Sequence, residues 1–178
     1  MAIAIRASIP TAQPAFELID GRLCQKVSPK HDHGRLQFIL ASLVWSWAKG
    51  RGRVATEWRF YLDLPQPGRN SLVPDIGYLS FDRLGRERRD DAQEPEIAPD
   101  VAFEILSPRE WREQVDRKTE LYLGAGTRLV VEIDPQRRTA VLHDAGGSRT
   151  LGEDDPLEHP AMPGFRLDLR ELFAALDE

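Results

Sequence analysis

Asp75 and Glu104 each sit where a carboxylate is costly. Asp75 follows Val73-Pro74 and opens the apolar run Ile76-Gly77-Tyr78-Leu79, and Glu104 is embedded in Pro99-Asp100-Val101-Ala102-Phe103-Glu104-Ile105-Leu106-Ser107. A lone buried charge is expensive, and a metal ion is the commonest way to pair two carboxylates at once. Fourteen positions after Glu104 comes Lys118, on a predicted helix. Two acids from neighbouring strands and one lysine are the minimum set for metal-assisted hydrolysis of a phosphodiester. The cation lowers the pKa of an attacking water and polarises the phosphoryl oxygen, while the ammonium neutralises transition-state charge or positions that water.

Strand geometry chooses between the acids. Asp100 and Glu104 share a face, but four residues at ~3.3 Å each separate them by ~13 Å, too far for one cation. Adjacent strands lie ~4.8 Å apart, so the metal pair is Asp75 with Glu104, and Asp100 keeps a strand-start or supporting role. Glu17 and His33 are further supporting candidates; His31 and His33 have the only ligand-like histidine spacing among four histidines. Plainer readings stand beside these: Glu104 at a sheet edge facing water, Asp75 as a turn-former, Lys118 snorkelling past the core, and the histidines facing solvent or capping a helix. The joint occurrence of the three residues, in an order that permits convergence, favours the site.

The elements that must position them follow from periodicity. Residues 1–14 read as a loose arm and 15–178 as one domain. Phe16–Ile19 and Leu23–Val27 flank Asp20-Gly21, a hairpin signal. Leu36, Ile39, Leu40, Leu43, Val44 and Trp47 follow the i, i+3, i+4, i+7 rule, predicting a helix over 31–48 closed by Lys49-Gly50. Alternation predicts one half-buried strand over 54–63, then a turn at 65–68, the strand after Pro74, an exposed loop over 82–98 and a central strand over 101–106. Ser107-Pro108 predicts a helix start with serine as cap, and that helix, running to about Leu123, places Trp111, Val115, Lys118 and Tyr122 on one stripe. A hairpin over 128–134 and 139–143, a strand near 165–167 and a helix over 169–176 complete the chain. This order predicts an α/β fold on a mixed sheet flanked by helices.

Composition narrows the function classes. The chain has 24 Lys and Arg against 29 Asp and Glu, a net charge of −5, so contacts to nucleic acid would be weak and salt-sensitive. Its arginines cluster at 51–53, 83–89 and 109–117. A single cysteine, Cys24, excludes an internal disulfide framework and fits a reducing cytoplasm, and no apolar stretch has the length of a signal sequence or membrane span. The four tryptophans read as core or interface residues.

The motifs Phe16-Glu-Leu-Ile-Asp-Gly21, Ser28-Pro29 with His33, Val73-Pro-Asp75, Pro99–Pro108, Lys118 with Tyr122, Gly126, Ile133-Asp134-Pro135 and Pro163-Gly164 resemble the Uma2 (DUF820) family of the PD-(D/E)XK nuclease superfamily, from about Phe16 to Phe173. The resemblance implies a restriction-endonuclease-like mixed β-sheet with N-terminal and C-terminal β-hairpin additions. It also implies a Mg²⁺- or Mn²⁺-dependent endonuclease acting on DNA, with Asp75 and Glu104 as metal ligands and Lys118 as catalytic lysine. A homodimer is expected from the same fold. Two positions depart from the pattern. The superfamily's usual lysine would fall at Leu106, so the role passes to Lys118, and Val130-Val131 stand where relatives carry Tyr-Trp. Two rival readings remain: a catalytically silent module of the same fold that binds nucleic acid or a protein, favoured by the acidic charge and by Leu106, and a metal-dependent hydrolase of small phosphoesters.

Overall fold

The computed structural model describes residues 6, 8–64, 69–108 and 110–177. In these residues β1 (Phe16–Ile19) and β2 (Arg22–Gln25) form the predicted hairpin, with Asp20 and Gly21 both at positive φ, as a tight two-residue turn requires. Helix α1 (His31–Ala48) follows, and its apolar stripe buries Leu36, Leu40, Val44 and Ala48. Gly50, at φ +79°, turns the chain out of the helix into β3 (Gly52–Thr56). Next come β4 (Phe60–Leu62), β5 (Asn70–Leu72), β6 (Ile76–Ser80) and β7 (Val101–Ile105). Helix α2 (Arg112–Gly124) leads to β8 (Leu129–Asp134), β9 (Thr139–Asp144), β10 (Gly147–Leu151), β11 (Pro156–Leu157), β12 (Leu167–Asp168) and α3 (Leu169–Ala174).

The larger sheet has the order β10-β9-β8-β7-β6-β3, and the smaller has the order β2-β1-β5-β4. Every pairing is antiparallel except β7–β8, which α2 connects as the crossover that parallel neighbours need. Period-two alternation gives the large sheet two faces. Val101, Phe103, Ile105, Leu129, Val131 and Ile133 pack with the α1 stripe, whereas Ala102 and Val130 pack with Leu121 and Tyr122 of α2 and with Phe60 and Leu72 of the small sheet. All of β7 is buried, as its near-continuous apolar run requires. Glu104 and Glu132 alternate with the first set, so both point to the α2 side.

Several expectations need correction. The strand predicted over 54–63 is two strands in different sheets, because Glu57 takes φ +50° and redirects the chain. The helix predicted from Ser107 starts at Arg112: the Glu110 carboxylate accepts from Ser107 N at 2.7 Å and closes a turn where the cap was expected. Trp111 therefore precedes the helix and is 77% exposed instead of extending the stripe, and Trp45 is also exposed. Residues 82–98 carry no strand or helix, yet Leu84, Ala92 and Ala98 are buried. Strands β10 and β11 were not foreseen. The predicted turn at 65–68 and residues 1–5 and 7 of the predicted arm lie outside the described residues, while Ile9 is buried with Leu18 and Tyr61.

Where α2 packs on β8, Glu132 is fully buried. It accepts from Arg112 at 2.7 Å and Thr119 at 2.9 Å, and His143 Nε2 lies 3.0 Å away. Burial alone would raise its pKa, but His143, Arg112 and Thr119 outweigh it and hold the carboxyl down at about 2. A depressed folded pKa contributes stability that is complete above the unfolded value of about 4.5 and disappears as pH falls through 2. We expect Glu132→Gln to remove about 2 kcal/mol of this acid-sensitive stability after allowance for screening. Denaturant midpoints measured from pH 6 to pH 2 check it: the variant's should fall less steeply, and parallel curves would refute it.

Candidate active site

The site forms where the chain passes between the two sheets. β5 ends in the small sheet at Leu72, and Val73-Pro74-Asp75 carries the backbone to β6 in the large one. The β6–β7 register, Ile76 opposite Phe103, brings the preceding Asp75 alongside Glu104. Asp75 is 2% exposed. Its Oδ2 accepts from Ile105 N at 2.6 Å and lies 3.1 Å from His33 Nε2, and its Oδ1 accepts from Lys26 Nζ at 2.8 Å. Glu104, 6% exposed, accepts from Lys118 Nζ at 2.9 Å and from the Tyr122 hydroxyl at 3.0 Å. Val115, Lys118 and Tyr122 are buried on the face that α2 turns to the sheet, so helical spacing delivers the ammonium and the phenol to one carboxylate.

Glu17 of β1 closes this side. Its Oε1 accepts from Val73 N at 2.8 Å and lies 3.2 Å from Lys118 Nζ. The structure thus brings together Asp75, Glu104, Lys118, Glu17 and His33, while His31 stays exposed beside Asp32. Asp100 lies at the opposite end of β7, where it accepts from Ser80 N at 2.7 Å and Arg128 Nε at 3.2 Å and ties the strand ends together. Leu106 lies just beyond β7, its N–H bonded to the Ile133 carbonyl.

Sequence reasoning missed three members. Lys26, just past β2, donates to Asp75, to both Glu57 oxygens at 3.2 and 3.1 Å and to the Val73 carbonyl at 2.8 Å. Gln37 of α1 donates to Glu57 at 3.0 Å and to the Asp75 carbonyl at 2.9 Å. Glu57 reaches the cluster because of its positive φ. The one available signal was a lysine next to the Ser28-Pro29 and His33 motif.

The charges are unevenly matched. Four carboxylates (Glu17, Glu57, Asp75, Glu104) face two ammonium groups, Lys26 and Lys118. Burial opposes the charge on Asp75, but Lys26 and His33 override it and hold its pKa well below the usual range. Burial pushes Glu104 up to about 8, with Asp75 and Glu17 adding to the rise against the pull of Lys118. Burial also works against both lysines, and the surrounding carboxylates outweigh it and keep them charged. The same contest raises the pKa of His33, with Asp75 prevailing.

This donor set suits Mg²⁺ or Mn²⁺. Among the described residues no three His, Cys, Asp or Glu side chains converge as ligands, which leaves a pair of hard carboxylates. Mg²⁺ is commonly bound through one or two carboxylates, with water and phosphate oxygens completing its shell. A cleft of about 120 Å³ reaches Asp75, lined by Lys26, His33, Gln37, Glu57 and Glu110 among others, and Glu104 lies outside its lining. A larger groove of about 1060 Å³ between β10 and residues 158–166 touches none of these groups, so the site is assigned by charge instead of volume.

No curated protein matches the chain. A crystal structure of a putative nuclease belonging to DUF820, from Anabaena variabilis ATCC 29413, superposes with a TM-score of 0.84 at 27% identity, covering 96% of both chains. The model of the Uma2 family, putative restriction endonuclease, matches residues 6–170, which include every residue of the cluster. With nearly its whole length matched in sequence and in fold, the chain belongs to the Uma2 family of putative restriction endonucleases.

Proposed function

We propose that this protein is a Mg²⁺- or Mn²⁺-dependent deoxyribonuclease that hydrolyses phosphodiester bonds within DNA. The observation that carries this reading is the buried Asp75–Glu104 pair on adjoining strands, with Lys118 2.9 Å from Glu104. Asp75 and Glu104 would hold the cation, which supplies an activated water and polarises the scissile phosphate. Ile105 N and His33 fix the Asp75 carboxylate, and Tyr122 fixes that of Glu104, so neither needs to reorganise when charge develops. The Lys118 ammonium stabilises charge on the phosphate or orients the water, and the net reaction adds that water across one P–O bond.

A free half-buried Cys24 is consistent with the reducing cytoplasm, and no helix among the described residues is long and apolar enough to cross a membrane. We extend the proposal to a homodimer, supported by exposed Phe38 and Trp45 beside the edge strand β3; light scattering at twice the 20.2 kDa chain mass tests it, and a monomer removes it. One observation favours the silent-module reading. Arginines of the predicted patches are engaged within the chain, Arg53 with the carbonyls of 84–86, Arg112 with Glu132 and Arg117 with Asp20. Among the described residues of those patches, few are left for phosphates.

The deciding experiment incubates supercoiled, linear and single-stranded DNA with the protein and Mg²⁺ or Mn²⁺, beside Glu104→Ala and a chelator. We expect nicking that disappears in both controls, by at least about 10³-fold in the variant. Metal binding without cleavage of any of the three would support the silent module, and cleavage of a chromogenic phosphodiester alone would support a small-substrate hydrolase.

A further inference from the structure

The Lys26 ammonium sits in a cage of oxygens beside Asp75. Four oxygens surround it: Asp75 Oδ1 and the Val73 carbonyl at 2.8 Å, and both Glu57 oxygens at 3.1 and 3.2 Å. An ammonium is a compact, strongly hydrated point charge, and here protein oxygens have replaced its water shell. Two carboxylates and a backbone carbonyl around one cation form a hard-oxygen set of the kind that holds divalent ions. Glu57 accepts positive φ to supply one wall, and Gln37 fixes that wall in place. In phosphoryl-transfer centres with two metals, a shared carboxylate bridges ions about 4 Å apart. Asp75 would suit such a role, with Glu104 alongside it on β7 and its Oδ1 already held by the Lys26 ammonium.

We propose that Lys26 takes the place of a second metal ion, so that this centre binds one divalent cation and uses a tethered ammonium as its other positive charge. This rests on the reading of Asp75 and Glu104 as metal ligands. The charge count is compatible, since the four carboxylates outnumber the two lysines and His33 beside Asp75 offsets part of the remaining negative charge, which leaves room for at most one divalent ion. Because Lys26 lines the cleft, shortening its side chain exposes the cage to solvent and to ions.

Mn²⁺ titrated into the intact protein, with bound ion counted by electron paramagnetic resonance and by equilibrium dialysis, tests this without any activity measurement. The expected result is one Mn²⁺ per chain for the wild type and two for Lys26→Ala, with the added ion lost again in Lys26→Ala/Glu57→Gln. Lys26→Met, whose stem fills the same space without charge, stays at one. Two ions in the wild type, or no gain in Lys26→Ala, overturn the inference while leaving the nuclease reading intact. A wild type that binds none overturns the nuclease reading instead, and Lys26→Ala then decides the cage alone: an ion gained supports it and none refutes it. If Lys26→Ala does not fold, Glu57→Gln serves. A tethered ammonium predicts that the single ion is retained, and loss of an ion there overturns the inference.

Discussion

Lys118→Met will lose about 3–5 kcal/mol of stability in a chelating buffer, and its cleavage of DNA will slow about 10²–10³-fold. Methionine keeps most of the stem that packs beside Val115 and Tyr122, so the change removes charge and little volume. Left behind are Glu17 and Glu104, both buried, whose carboxylates lie 3.2 and 2.9 Å from the missing ammonium. Breaking a buried pair is costlier than replacing it whole, because the surviving charge keeps its desolvation penalty. A divalent ion bound to Glu104 supplies part of the missing charge and stabilises only the folded state. The melting-temperature gap between variant and wild type will therefore narrow when Mn²⁺ replaces the chelator. A purely structural lysine would give a gap independent of metal, and a variant that melts with the wild type in chelator would show that the pair contributes nothing.

Local signals sufficed wherever the chain obeys one period over a long enough stretch. The α1 stripe, Leu36-Leu40-Val44 with Ile39, Leu43 and Trp47, identifies the 18-residue helix, and Lys49-Gly50 marks its end. The run around Glu104 identifies a buried central strand, and proline before Asp75 marks where a new strand begins. What escaped is governed by tertiary contacts. Nothing in Val54–Asp63 signals a break, since Glu57 adopts positive φ without glycine or proline, and the compensation lies in Lys26 and Gln37, twenty and more residues away. Lys26 reads as an ordinary polar position at the end of a hairpin strand, and only the meeting of β2, the β3–β4 crossing and the β5–β6 crossing turns it inward. Ser107-Pro108 carries a sound helix-start signal, but Glu110 captures Ser107 N first. The proximity of Asp75 and Glu104 was legible because strand spacing alone constrains it, and Glu17 and His33 were named beside them; Lys26, Gln37 and Glu57 were not, because they come from elements that are distant in sequence.

Asp75→Asn is the more severe test of the site. The carboxylate now accepts on both oxygens, from Lys26 Nζ on one side and from Ile105 N on the other, with His33 adjacent. An asparagine offers one carbonyl oxygen and one NH₂, so whichever way it turns, a donor faces either the Lys26 ammonium or the Ile105 N–H. We expect a stability loss of about 3–5 kcal/mol, at least a tenfold weaker affinity for Mn²⁺ and a loss of cleavage beyond about 10³-fold. Folding and function can then be separated by adding Lys26→Met. With both charges gone, the buried donor–donor conflict at Lys26 disappears and a large part of the stability should return, as replacement of a whole buried pair allows. Cleavage should not return, because the proposed metal ligand is still missing. Recovery of cleavage together with stability would mean that Asp75 serves only to hold the β5–β6 crossing in place, and the metal would then have to be assigned to other residues. Recovery of neither would mean that the Ile105 N–H, which the amide cannot satisfy in the flipped orientation, dominates the energetics of the site over the ion pair with Lys26.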